Sequence, residues 1–79
     1  MRTVVLYGKS ECHLCDEMKA IVSEVRRDVP FDLEIVDITS DPGLEETYRT
    51  EIPVLVIDGR KAFKYRLDAA ALRRRLLAS

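Results

Sequence analysis

The hydrophobic period of this chain changes between Tyr7 and Cys12, and that switch limits the folds open to it. Thr3-Val4-Val5-Leu6-Tyr7 is a β-branched and aromatic run ending at Gly8, the pattern of a buried strand. After the loop Gly8-Lys9-Ser10-Glu11, apolar residues recur at Leu14, Met18, Ile21 and Val25, with Cys15 and Val22 beside them. This spacing traces one face of an α-helix beginning at Cys12. Asp16, Glu17, Lys19, Ser23, Glu24 and Arg26 supply its wet face, and Pro30 marks its stop. Phe31 to Ile38 then alternates and is rich in β-formers, which predicts a second strand half covered on one face. A strand, a helix and a strand in succession form a right-handed crossover with the two strands parallel.

The rest of the chain must fit onto that unit. Ser40-Asp41-Pro42-Gly43 reads as a turn or helix start, because Asp41 suits a helix cap and Pro42 a first helical position. A short helix from about Leu44 to Thr50 is predicted to follow, with Leu44 and Tyr48 inward. Pro53-Val54-Leu55-Val56-Ile57 is a continuous apolar run, the mark of a central strand. Asp58-Gly59 is a two-residue hairpin signal leading into the alternating edge strand Arg60 to Tyr65. Asp68 can cap a last helix in which Ala69, Leu72 and Leu76 line one side. The order is β-α-β-α-β-β-α, an α/β fold with a mixed four-stranded sheet and helices on both faces.

A chain of 79 residues is expected to make one domain, residues 1–79, and at 47% hydrophobic it carries enough apolar material for a core. Positive and negative charges nearly cancel, to −1, so nothing points to a nucleic-acid or membrane partner. The basic run Arg73-Arg74-Arg75 reads as the solvated face of the last helix in preference to a docking patch for an acidic partner. The opening apolar stretch is shorter than the roughly 7–15 residues of a signal peptide, and a cytoplasmic location is expected.

Both cysteines fall in Cys12-His13-Leu14-Cys15. A pair three residues apart closes almost no loop, so as a structural staple it would do little. Its position, just after a buried strand and in the first turn of a helix, suits chemistry. Unpaired backbone N–H groups and the helix dipole stabilise negative charge there, and thiols so placed have pKa values of about 3.5–7.5 instead of about 8.5. Cys12 is thus the candidate attacking thiolate, and the more enclosed Cys15 the candidate resolving thiol. Lys9 could add positive charge, against Glu11, Asp16 and Glu17. His13 could stabilise the thiolate or pass a proton, or simply be solvated. A closed zinc site cannot be assembled from one cysteine pair and the single His13 between them. A cluster shared between two chains, or two cysteines that merely pack, are the alternatives. Pro53 opens a central strand, where its missing N–H is tolerated, and on base rates alone its peptide bond is trans. Tyr7, Tyr48 and Tyr65 read as packing residues, and Asp37 has no assigned role.

Tyr7 to Cys15 resembles the active-site segment of glutaredoxins, in which a basic residue often stands three before the first cysteine and Cys-x-x-Cys opens the helix. Ile52-Pro53-Val54-Leu55 followed by Asp58-Gly59 is similar to their cis-proline strand and hairpin. Cys-x-Leu-Cys, Val36-Asp37-Ile38 and Tyr48 are similar to short bacterial glutaredoxin-like proteins, and the resemblance runs from about Thr3 to Leu76. It implies a thioredoxin-like fold with sheet order 2-1-3-4 and a cis bond at Pro53 packed against the cysteines. It also implies a substrate site of Lys9, His13, Leu14, Ile52 and Pro53, in which the Ile52 backbone pairs with substrate.

In one region the chain departs from that pattern. Phe63-Lys64-Tyr65-Arg66-Leu67-Asp68 stands where glutaredoxins carry a glycine pair and an Asp that hold the glutamyl end of glutathione. Bulky side chains there argue against glutathione as the reductant, although they leave it open. The reading is a dithiol thiol–disulfide oxidoreductase acting on protein or glutathione mixed disulfides. It is expected to bind no cofactor or metal and to work as a monomer. The rivals are a binding module that uses the same fold without thiol chemistry, and an iron–sulfur cluster carrier bridging two chains.

Overall fold

The structure, a computed structural model, describes residues 1–78. The chain runs β1 (Thr3–Gly8), α1 (His13–Asp28), β2 (Asp32–Asp37), a 3₁₀ turn (Ile38–Ser40), α2 (Pro42–Tyr48), β3 (Val54–Ile57), β4 (Arg60–Lys64) and α3 (Ala69–Leu77). The strands form one sheet in the order β2-β1-β3-β4. β1 is parallel to β2, as a crossover through α1 requires, and β1 with β3 and β3 with β4 are antiparallel.

Where element ends differ from those the residue pattern predicts, a side chain or a backbone angle sets the difference. β2 stops at Asp37 and not at Ile38, because the Asp37 carboxylate accepts the Thr39 N–H at 2.9 Å and the Thr39 hydroxyl at 2.6 Å and starts the 3₁₀ turn. α2 begins at Pro42, two residues before Leu44, because the Asp41 side chain accepts the Gly43 N–H at 2.8 Å. It ends at Tyr48, and both Leu44 and Tyr48 are half-buried. β3 begins one residue after Pro53, which has no N–H to offer the ladder. β4 ends at Lys64, because Tyr65 takes a left-handed φ of 68°.

Asp58 and Gly59 turn the last two strands with φ values of 50° and 82°, the pair of left-handed conformations that a two-residue hairpin of this kind needs. Gly59 adopts its angle without the steric cost that a side chain would bring. Asp58 also accepts the Thr3 N–H at 3.0 Å and pairs with Arg2 at 2.7 Å, so the turn is fastened to the start of β1.

The sheet has two apolar faces. Val4 and Leu6 lie directly opposite Ile57 and Leu55, and this face packs against Met18, Val22 and Val25 of α1 and Leu72 and Leu76 of α3. Burying each such side chain contributes about 1.5–3 kcal/mol. Tyr7 opposes Val54 on the other face, where its ring stacks on Tyr48 of α2 with centroids 4.7 Å apart. Helices therefore cover both faces. Asp68 caps α3 by accepting the Ala71 N–H at 3.2 Å. In the basic run, Arg74 and Arg75 are solvated, while Arg73 reaches Asp28 at the end of α1 at 2.6 Å. None of the helices is long and apolar enough to cross a membrane among the described residues.

Candidate active site

β1 delivers Gly8 to the end of the sheet, and α1 starts five residues later at His13. The backbone between them turns sharply through Glu11, whose φ is 57°. Cys12 is the helix cap: its backbone is extended and its carbonyl accepts the Asp16 N–H at 3.1 Å. Its sulfur accepts the Cys15 N–H at 3.3 Å, a place that Ser, Thr or Asp more often fills with oxygen. A reduced Cys12 thiolate would thus sit on a first-turn N–H, in the field of the sixteen-residue helix α1.

Cys15 is one turn further in, 6% exposed, with its Cα 5.2 Å from that of Cys12, and the two sulfurs are joined in a disulfide. Gly8 leaves the room that Cys15 occupies. A Cβ at Gly8 would lie 3.0 Å from Cys15 Sγ and 3.2 Å from Cys15 Cβ, tighter than van der Waals contact. The outer cysteine is half-buried and the inner one is wedged against the strand.

The peptide Ile52–Pro53 is cis, and Pro53 is buried. Since Val54 pairs with Tyr7, one further step along the antiparallel register sets Pro53 beside Gly8, on which Cys15 rests. Backbone bonds hold the proline loop on both sides. The Ile52 N–H donates to the Tyr48 carbonyl at 3.1 Å, and the Tyr65 N–H donates to the Pro53 carbonyl at 2.8 Å. The Tyr65 hydroxyl donates to the Thr50 carbonyl at 3.0 Å. The Ile52 N–H is thereby engaged within the chain.

The other sequence-predicted residues divide between two sides of the pair. Lys9 lines a cleft of about 240 Å³ that reaches Cys15 between β2 and the start of α1, with Asp16, Lys19 and Asp37. His13 has a side chain 87% exposed, 3.6 Å from the Glu17 carboxylate in an i,i+4 pair, which fits the solvated reading. Leu14 turns the other way. It is half-buried and lines a groove of about 410 Å³ between α1 and the loop that follows β4.

Charge around the site is held locally. The hydrogen bonds from the Thr39 hydroxyl and N–H keep the Asp37 carboxyl below its ordinary range. The bond from Lys61 does the same for Glu51, and burial raises the Tyr7 hydroxyl above its usual value. Three residues with a part in the site escaped the sequence reading: Gly8 by its closeness to Cys15, Tyr48 by its carbonyl, and Tyr65 by its conformation. Each carried a signal: Gly8 ends a buried strand just before the cysteines, Tyr48 is one of the residues of the resemblance, and Tyr65 falls in the segment where that pattern has a glycine pair.

Comparison with known proteins follows the same lines. The sequence pattern described as "Glutaredoxin-like domain (DUF836)" matches residues 3–77. An uncharacterized protein of Mycobacterium bovis, Mb0520, is 27% identical over 75 residues, covering 89% of this chain and 77% of its own. The solution structure of protein Ne2328 from Nitrosomonas europaea superimposes with a TM-score of 0.79 at 30% identity, covering 94% of this chain and 89% of that one. A mutant thioredoxin from Halobacterium salinarum superimposes at 0.71 with 18% identity, covering 95% and 71%, a likeness of fold.

Proposed function

The chain belongs to the glutaredoxin-like domain family with a thioredoxin-like fold, and from that premise we propose that it is a dithiol thiol–disulfide oxidoreductase that reduces protein disulfides. The observation that carries this reading is Cys12 as helix cap, its sulfur receiving the Cys15 N–H while Cys15 lies buried behind it against Gly8. One sulfur is placed to hold negative charge at the surface, and the other to wait out of solvent within bonding distance of the first.

In the reduced protein the Cys12 thiolate attacks one sulfur of a substrate disulfide. The Cys12–substrate disulfide forms and the other substrate sulfur leaves as thiolate, to be protonated by water. Cys15 gives up its proton and attacks Cys12 Sγ, which releases the second substrate thiolate and leaves the Cys12–Cys15 disulfide. The substrate has gained two electrons and the protein has lost them. An external thiol or dithiol returns the pair to the reduced state. The two thiols carry the electrons themselves, so the reaction needs no bound cofactor or metal.

Pro53 and the Ile52 carbonyl border the mixed disulfide, and Lys9 acts through its charge at its edge. Tyr65, Arg66 and Leu67, where a glycine pair would admit glutathione, support a protein substrate over a glutathione mixed disulfide. A monomer in a reducing compartment such as the cytoplasm fits this reading.

The test is turnover with a glutathionylated peptide, glutathione and glutathione reductase beside single-turnover reduction of a protein disulfide, using wild type, Cys12→Ser and Cys15→Ser. Single reduction of the protein disulfide by wild type, lost in Cys12→Ser, with weak glutathione-coupled turnover, is expected. Fast coupled turnover would make glutathione the reductant. No mixed disulfide at Cys12 under any condition would replace the enzyme with a binding module of the same fold.

A further inference from the structure

Tyr65 combines features that a packing residue does not require. Its φ of 68° is a conformation that glycine takes freely and a bulky residue rarely adopts, and such outliers persist where the surroundings enforce them. Here they do, through the Tyr65 N–H on the Pro53 carbonyl and the Tyr65 hydroxyl on the Thr50 carbonyl. The residue is nevertheless 42% exposed. Its side chain is thus held, partly in solvent, on the loop after β4, whose backbone is bonded to the proline of the reaction site.

Tyr65 also forms one wall of the groove that starts at Leu14, between the two cysteines. Met18, Ala20 and Ile21 of α1 and Leu67 complete the apolar lining. Glu17 and Arg66, of opposite charge, also line it, so the groove presents no net charge to a partner. A tripeptide bearing two carboxylates would meet a single cation, Arg66, offset by Glu17, and otherwise largely apolar walls. A large apolar side chain would find an aromatic wall already ordered, with little further entropy to lose.

Resting on the oxidoreductase reading, we propose that Tyr65 is a specificity-determining residue: its ring, with Leu14 and Leu67, seats a large apolar side chain adjoining the disulfide cysteine of a protein substrate. Leu14 stands between the two cysteines in the chain and Tyr65 is bonded to Pro53, so a substrate chain whose sulfur is at Cys12 is placed to bring its neighbouring residue toward Leu14.

The experiment measures the rate of disulfide reduction by the reduced protein with three probes. Two are extended peptides joined through their cysteines to a common thiol, identical except for Leu or Ser beside the cysteine. The third is hydroxyethyl disulfide, which has no flanking residue. Wild type should reduce the Leu peptide about tenfold faster than the Ser peptide, within the range that apolar pockets discriminate. Tyr65→Gly, which suits the left-handed angle, should bring the two within about twofold of each other. Tyr65→Phe, which keeps the ring, should retain most of the preference. A wild type active on hydroxyethyl disulfide but indifferent to Leu or Ser overturns this proposal alone, as does a Tyr65→Gly that keeps the preference. A wild type inert toward all three overturns the oxidoreductase reading and this one with it.

Discussion

Replacing Gly8 by Ala should make the Cys12–Cys15 disulfide easier to reduce, by an amount that follows from the packing. The added Cβ would lie 3.0 Å from Cys15 Sγ and 3.2 Å from Cys15 Cβ, whereas carbon atoms settle about 3.5–4.0 Å apart. Overpacking of this kind costs roughly 1–3 kcal/mol in a filled interior. Loss of unfolded-chain freedom on going from Gly to Ala returns about 0.4–1 kcal/mol. That gain is shared by the oxidised and reduced proteins, but the clash is not. In the disulfide Cys15 is tied to Cys12 and cannot turn away, whereas the free thiol can rotate off the new methyl group. If about 1–2 kcal/mol of the cost falls on the oxidised form alone, the midpoint potential rises by about 20–40 mV for this two-electron couple. The assay is equilibration with glutathione redox buffers, followed by alkylation and intact mass, beside urea unfolding of both forms. The difference between the two stability losses must equal the shift in potential. Equal losses in the oxidised and reduced proteins, or an unchanged potential, would refute the idea that Gly8 is there to admit Cys15.

Further outcomes concern the frame that holds the site. Leu72→Ala empties a fully buried position between α3 and the sheet and should lower unfolding free energy by about 2–5 kcal/mol in urea titration; a loss under about 1 kcal/mol would contradict the packing described. Asp68→Ala removes the α3 cap and should cost about 0.5–2 kcal/mol, while Asp68→Asn should cost much less. Acid should weaken the fold through Asp37, Asp58 and Glu51, whose folded carboxyls lie below their ordinary range because of hydrogen bonds from Thr39, from the Thr3 N–H and Arg2, and from Lys61. Their contribution is fully present above the ordinary values, 3.8 for the two Asp and 4.5 for Glu51, and is lost as pH falls through the lower folded values. Thermal melting between about pH 5 and pH 2 should therefore fall less steeply in Asp58→Asn than in wild type.

The architecture was legible because hydrophobic period is a direct consequence of burial. The spacing of Leu14, Met18, Ile21 and Val25 and the apolar run Val54 to Ile57 each state which surfaces must leave water. Asp58-Gly59 states the turn, and the parallel and antiparallel pairings follow from connection length. Element ends were less legible, since a single carboxylate decides them: Asp37 ends β2 by binding Thr39, and Asp41 starts α2 by binding Gly43. Local pattern does not say which carboxylate will cap and which will be solvated. Of the site, Cys12 and Cys15 were plain from spacing and position. The left-handed angle of Tyr65 was not, because only glycine advertises such an angle, and Tyr65 is held there by partners on Pro53 and Thr50 distant in sequence. Nor could sequence tell that the Ile52 N–H is bonded within the chain, because its acceptor is a backbone carbonyl of Tyr48 and leaves no residue-type signature.

The central claim is that Cys12 attacks and Cys15 resolves, and the most direct measurement is trapping. Reduced Cys15→Ser and reduced Cys12→Ser would each be mixed with an equimolar peptide disulfide at neutral pH, quenched with acid at short times and weighed intact. The account predicts that Cys15→Ser accumulates the peptide adduct on Cys12 and keeps it, while Cys12→Ser, with its remaining thiol buried, gains it far more slowly. Adduct formed faster on Cys15, or on neither cysteine, would contradict the account.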